Sequence, residues 1–215
     1  MKNKILPLTL AVLGCLALPA SGYILVPNGD FSDGSTGWLR VDGTGEGPAV
    51  TSPTGGNPGG YASITPGGGW GILVTPTVAG AAGGGIPIAS LGLTAGSAVT
   101  FRWDSINLGA PGSGVPTAGT AGGMKVEAWG GNALVGNTGD QRPSLIGDGS
   151  TWQTYNYNWV LPATTEKLIF VPLWSGNTTV VGMDNVGVVP EPSTYALLAL
   201  GAAGLGAHLV RRRRR

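Results

Sequence analysis

The sequence predicts an all-β protein folded as an antiparallel β-sandwich or jelly roll. Three observations predict it. The 40 glycines and 16 prolines in 215 residues speak for many turns and against long helices. Several short segments alternate apolar and polar side chains with a period of two, which puts successive residues on opposite faces of a strand. About eight such segments are separated by turn residues, with no helical periodicity in the body and no repeat of fixed length.

The elements follow in order. Residues 23–26 lead in, Asn28, Gly29, Asp30 and Phe31 make a turn, and residues 37–41 hold Trp38. Glycine and proline dominate 44–60, which reads as a loop. Residues 61–64 and 70–75 are expected to pair as a hairpin across 65–69. Residues 86–93 carry Ile86, Ile88, Leu91 and Leu93, then turn through Thr94, Ala95 and Gly96 into 97–107. There Val99, Phe101 and Trp103 alternate with Thr100, Arg102 and Asp104. Residues 108–123 form a second Gly/Pro loop. In 124–129, Met124, Val126 and Ala128 alternate with Lys125, Glu127 and Trp129. In 152–160, Tyr155, Tyr157 and Trp159 share one face, and Thr154, Asn156 and Asn158 the other. Residues 167–174 and 180–188 close the body.

Both ends of the chain read as targeting segments. Residues 1–22 have Lys2 and Lys4 before a mostly apolar run, then small residues suited to a signal peptidase cut before Tyr23. This is a secretory signal helix; the alternative is an acylated N-terminus at Cys15, within a partial lipobox. At the other end, Pro190 and Pro192 make 189–194 a short stiff spacer. Residues 194–210 are apolar and, as a helix, about 25 Å long, enough for a thin bilayer core. Arg211, Arg212, Arg213, Arg214 and Arg215 then stop the chain on the cytoplasmic side, so the body lies across the inner membrane. The plain alternative is a permanent membrane anchor. A proline-bearing motif, a short apolar helix and a basic end, in that order, resemble the PEP-CTERM sorting signal of Gram-negative bacteria. The motif residues are Val189, Pro190, Glu191 and Pro192. The resemblance implies an exosortase as partner, with cleavage near the motif and delivery to the cell surface or extracellular matrix. The chain thus divides into a signal (1–22), one sandwich domain (23–188) and a sorting tail (189–215).

Composition limits what the body does. It carries five Lys/Arg against ten Asp/Glu, a net charge of minus five, so it has no basic footprint for nucleic acid. The single cysteine is Cys15 and the single histidine His208, both outside the body. Ser-His and Cys-His nucleophile systems and His/Cys zinc sites are therefore excluded there, as are disulfides.

A second resemblance spans the body. Asn28-Gly29-Asp30-Phe31 followed by Gly37-Trp38, Leu93-Thr94-Ala95-Gly96, Trp152 before an aromatic strand, and the closing Met183-Asp184-Asn185-Val186 are similar to the galactose-binding-like jelly roll of carbohydrate-binding modules. That resemblance implies a structural calcium held by Asp30 and Asp184, with Asp33 as a substitute where the family has an acidic residue and this chain has Ser32. Calcium takes oxygen ligands; the alternative is that Asp30 and Asp33 only shape turns.

Sugar binding calls for aromatic rings off the core. Trp70, Trp129 and Trp174 are the candidates, Trp129 foremost because it shares the polar side of its strand with Lys125 and Glu127. Glycoside hydrolysis needs only two carboxylates, and Asp104 and Glu127 are the best placed for it. The expectation is a non-enzymatic, exported surface or matrix protein that binds exopolysaccharide. The alternatives are a structural matrix protein without ligand and an anchored carbohydrate-active enzyme. Ice binding would need a flat threonine array, which the body lacks.

Overall fold

A computed structural model describes residues 22–65, 70–75, 84–109, 122–142, 151–175 and 179–190. Its strands are β1 (Ile24–Leu25), β2 (Leu39–Asp42), β3 (Gly45–Pro48), β4 (Val50–Gly56), β5 (Gly59–Ile64), β6 (Trp70–Val74), β7 (Ile86–Pro87), β8 (Ala98–Asn107), β9 (Gly123–Gly130), β10 (Ala133–Asn137), β11 (Gln153–Val160), β12 (Lys167–Ser175) and β13 (Val181–Pro190). They form two antiparallel sheets. Sheet I runs β11-β8-β13-β5-β4, with β1 added on β13. Sheet II runs β10-β9-β12-β6-β2-β3, with β7 added on β12. This is the expected all-β sandwich. The expected signal helix and the apolar tail with its arginines lie outside the described residues, among which no helix is long and apolar enough to cross a membrane.

The alternating strands turn their apolar sides to each other. Sheet I contributes Val99, Phe101, Trp103, Ala62, Ile64, Val181, Met183, Val186 and Val188. Sheet II contributes Met124, Val126, Ala128, Leu168, Phe170, Trp174 and Leu73. Phe101 meets Phe170 edge-on across the layers, with ring centroids 5.7 Å apart. On β11, Tyr155, Tyr157 and Trp159 stand opposite Trp103, Phe101 and Val99, so the aromatic face expected for this strand turns inward.

Four expectations differ from the structure. Residues 61–64 and 70–75 form no hairpin: β5 pairs with β4 and β13, whereas β6 pairs with β2 and β12. Both have an apolar face, and each satisfies it from its own side of the core. The expected loop at 44–60 contains β3 and β4, which lie at sheet edges where little burial marks the sequence. Only Ile86–Pro87 of the 86–93 segment is strand; Ile88–Leu91 is a 3-10 turn closed by Gly92 in the left-handed region. β10 is an exposed edge strand with no alternation to reveal it. In addition, β13 continues through Val189 to Pro190, which pair with Thr100 and Val99, so the first two motif residues are strand rather than spacer.

The opening turn is clasped to β13. Val26 N–H donates to the Val186 carbonyl (3.0 Å), and Val186 N–H donates to the Gly29 carbonyl (2.8 Å). Asn28 and Phe31 hold positive φ angles of 53° and 50°. The Asn28 side chain secures the turn by donating to the Gly34 and Thr36 carbonyls and accepting from Asp33 N–H. Trp38 Nε1 donates to the Asn28 carbonyl at 2.9 Å, and the Trp38 ring packs 5.1 Å from Phe31. A Cβ on Gly29 would sit 2.2 Å from the Val186 carbonyl oxygen, so the close approach needs glycine. Gly29→Ala should therefore cost ~1–3 kcal/mol through overpacking, read as a lower urea midpoint; an unchanged midpoint would show that the clasp does not hold the fold.

Candidate functional site

Asp104 on β8 and Asp184 on β13 are register partners on the outward face of sheet I, yet both are 0% exposed. The β4–β5 turn lies over them. Asn57 donates its backbone N–H to Asp184 Oδ2 (2.5 Å) and its Nδ2 to Asp104 Oδ2 (3.1 Å). Asn185 donates its N–H to Asp184 Oδ1 (2.7 Å) and its Nδ2 to Asp104 Oδ2 (2.8 Å). Thr154 Oγ1 donates to Asp104 Oδ1 at 2.6 Å. A Cβ on Gly56 would lie 1.9 Å from the Gly60 carbonyl oxygen and 2.7 Å from Asp184 Oδ2, so the turn can meet the acids only with glycine there. Tyr23 covers the next position, its hydroxyl donating to the Asn185 carbonyl and its ring carrying the Arg102 guanidinium at 4.7 Å. Burial raises the Tyr23 hydroxyl pKa. Burial also pushes the Asp184 carboxyl up to about 6, and the charges of Asp104 and Asp30 add to the rise.

Calcium can be tested against this donor set. Hard carboxylate oxygens and excess negative charge suit it, and among the described residues no lysine or arginine forms an ion pair with either buried acid. Each Asp184 oxygen accepts one backbone N–H and keeps a second lone pair. Asp104 is less suited, because amide and hydroxyl donors already face both its oxygens. Asp30 accepts from Ser32 N–H and Ser32 Oγ through Oδ1, the turn-shaping arrangement, while its charge still acts on Asp184. Asp33 is exposed. No group of three or more acidic, histidine or cysteine side chains is gathered for an ion among the described residues. Asp184, with Asp30 beside it, is thus the part that fits.

Of the residues expected to bind sugar, Lys125, Glu127, Trp129 and Trp70 lie on the outward face of sheet II. Lys125 Nζ pairs with Glu127 Oε1 at 2.8 Å, so these side chains neutralise each other. Trp129 is half-buried, and its Nε1 donates to Glu127 Oε2 at 3.3 Å. Its cross-strand partners are Leu134 and Lys167. The neighbouring Ile169, Val171 and Leu173 point the same way and are only 4% exposed, so β12 is buried on both faces. Trp70 stands 42% exposed on β6. Trp174 belongs to the core: it is 7% exposed, its indole donating to the Thr179 carbonyl at 2.9 Å. Asp104 and Glu127 lie on opposite outward faces of the sandwich, too far apart across a core layer about 10 Å thick to share one glycosidic bond.

A groove opens at the edge of the sandwich instead. It measures about 200 Å³ and is lined by Trp103, Tyr155, Asn156 and Tyr157 from sheet I and by Gln141 and Arg142 from the segment after β10. Gln141 bridges to Met124 and so extends the border of sheet II. Among the described residues β11 is the last strand of sheet I, with no further strand beside its inward aromatics. Trp103 and Tyr155 stack at 5.8 Å and 29°. Asn156, Gln141 and Arg142 bring amide and guanidinium groups to the mouth, with Arg142 Nη2 donating to Asp140 Oδ2 at 2.8 Å. The alternation of Tyr155, Tyr157 and Trp159 was legible; their place at a sheet border was not.

The buried acid pair predicts a pH dependence. Asp184 titrates near 6 when folded, against 3.8 when free. Folding therefore favours its protonated form, and this contribution is complete below pH ~4 and lost as pH rises through ~6. With a chelator present, the melting temperature of the mature body should fall over that window. Asp184→Asn should flatten the fall; an equal slope in both proteins would remove Asp184 as the titrating group.

A family model described as the PEP-CTERM protein-sorting motif matches residues 188–215. No curated protein matches the chain. Among solved structures, the sandwich is similar to the C-terminal family 22 carbohydrate-binding module of Clostridium thermocellum Xyn10B. The TM-score is 0.52 and the identity 13%, over 81% of this chain and 98% of that one. It is also similar to the xylan-binding domain of Paenibacillus barcinonensis Xyn10C, with TM-score 0.50 and identity 14%, over 75% and 97%. The enzymatically active domain of a bacteriophage CBA120 tailspike protein matches with TM-score 0.51 and identity 13%; 77% of this chain covers only 21% of that one. At such identities the likeness is one of fold, and fold alone does not carry function. The described residues therefore form a β-sandwich similar in fold to carbohydrate-binding modules, and residues 188–215 carry a PEP-CTERM sorting motif.

Proposed function

We propose that this is a non-enzymatic protein of the cell surface or extracellular matrix that binds exopolysaccharide. A signal peptidase removes residues 1–22 during export, and an exosortase in the inner membrane handles the tail while Arg211–Arg215 remain cytoplasmic. The observation that carries sugar binding is the aromatic groove at the β8–β11 border. A pyranose lays its apolar face on a ring, and Asn156, Gln141 and Arg142 supply hydrogen bonds to its hydroxyls. The family 22 modules of like fold support the reading: in the Xyn10B module the cleft serves ligand binding, and the Xyn10C domain binds xylan. The face around Trp129, Lys125 and Glu127 is a second, shallower surface for the same ligand class, with Trp70 exposed on the same sheet.

The test is binding to the producing cell's own exopolysaccharide. Tyr157→Ala should keep the fold and weaken binding by ~2 kcal/mol, roughly thirtyfold; Trp129→Ala should have a smaller effect. Loss on Trp129→Ala alone would move the site to sheet II. No binding by the wild type would favour a structural matrix protein, and release of reducing sugar would show an enzyme.

Calcium at Asp184, with Asp30 contributing, is part of the same proposal. Binding to the folded form alone stabilises it by about 2.7 kcal/mol at a hundredfold excess over the dissociation constant. A chelator should lower the melting temperature at pH 7, and Asp184→Ala should abolish the difference. An unchanged melting curve on chelation would remove the ion.

A further inference from the structure

We infer that tail processing leaves β13 whole, so that the scissile peptide bond lies C-terminal to Pro190. The inference rests on the C-terminal processing that the sorting motif implies. The matched motif begins at Val188, two residues before the strand ends. The fold and the motif therefore overlap, and the overlap limits where a cut is compatible with a folded body.

Val188 is 0% exposed, a member of the core, and is paired on both sides, with Phe101 of β8 and Ile24 of β1. Val189 and Pro190 pair with Thr100 and Val99. Proteolytic clefts take their substrates as extended chain whose backbone groups are free to bond the enzyme. Within β13 those groups are engaged by neighbouring strands. Freeing the bond after Val188 means unzipping Pro190 and Val189 from β8 and drawing Val188 out of the core. A cut still further back removes the partner of β1 and uncovers Phe101, so the product loses part of its central strand.

Beyond Pro190 the pairing of β13 ends. Glu191 to Thr194 are the four residues before the apolar run begins at Tyr195. Fully extended, they reach about 14 Å at ~3.3–3.6 Å per residue. The enzyme therefore acts on a folded sandwich held within that distance of the bilayer, and the end of β13 sets the inner limit of the accessible segment. In the hydrolytic form of the step, water oxygen bonds to the scissile carbonyl carbon and the C–N bond breaks. The body keeps the carboxylate, and the tail leaves as an amine carrying the proton.

The test is the C-terminal peptide of the mature protein, recovered from the producing cells and sequenced by mass spectrometry. The expected result is an end at Pro190 or later, and none earlier. An end at Val189 or before overturns the inference, even with export and sugar binding intact. A chain still ending at Arg215 overturns it together with the processing on which it rests. A second full-length chain carries a flexible glycine-serine stretch after Pro192, which leaves Val189, Pro190, Glu191 and Pro192 contiguous. Its mature form should retain β13 entire and end at Pro190 or later, whereas a cut inside β13 in this chain also overturns the inference. Failure of sugar binding with the expected C-terminus would sink only the ligand proposal.

Discussion

Two carboxylates buried side by side between β8 and β13 set the terms for the rest of the molecule. A charge taken out of water is costly unless it is paired or hydrogen-bonded. No lysine or arginine among the described residues pairs with Asp104 or Asp184. The compensation comes from donors on the β4–β5 turn, the β13 bulge and β11: Asn57, Asn185 and Thr154. Those donors reach the acids only if the turn folds down over the sheet, which Gly56 allows, and if β13 carries an irregularity at Asn185, which stands at φ 50°. The bulge also lets Met183 and Val186 both face the core, and it presents Val186 to the opening turn. One electrostatic requirement thus ties together the first turn, the fourth and fifth strands and the last strand.

The same strand links the body to its destination. β13 is flanked by β8 and by β5 and β1, so it is held from both sides along most of its length, and it runs into the sorting motif without a break. The first residues of the matched motif, Val188 to Pro190, are therefore part of the central ladder.

The two layers differ in what they offer a ligand. The outward side of sheet I is capped by polar turns and by Tyr23, and its acids are sealed. The outward side of sheet II presents an internally neutralised Lys125–Glu127 pair beside a half-buried indole. The border between them is unlike either. There, among the described residues, no further strand stands beside β11, and a groove lined by Trp103, Tyr155, Tyr157, Asn156, Gln141 and Arg142 opens at its edge.

By itself the sequence determined the fold class, the inward faces of β8, β9 and β11, and the sorting motif at residues 188–215. These are local properties: alternation with period two, membrane-length apolar runs and clustered charge need no knowledge of neighbours. It also brought Asp30 and Asp184 into one account, because the turn and the closing segment carry recognisable residues. Tertiary structure decided what depends on partners. Residues 61–64 and 70–75 each look fit for a hairpin, and only the two-layer packing assigns them to different sheets. β3, β4 and β10 lie at edges where exposure erases the pattern. Trp129 and Trp174 both have an indole on a strand; the layers bury one in the core and leave the other half-covered on the outer face. The acid pair, the groove and the continuation of β13 into the motif join residues far apart in sequence, and such proximity is set by strand order and register, which no local pattern encodes.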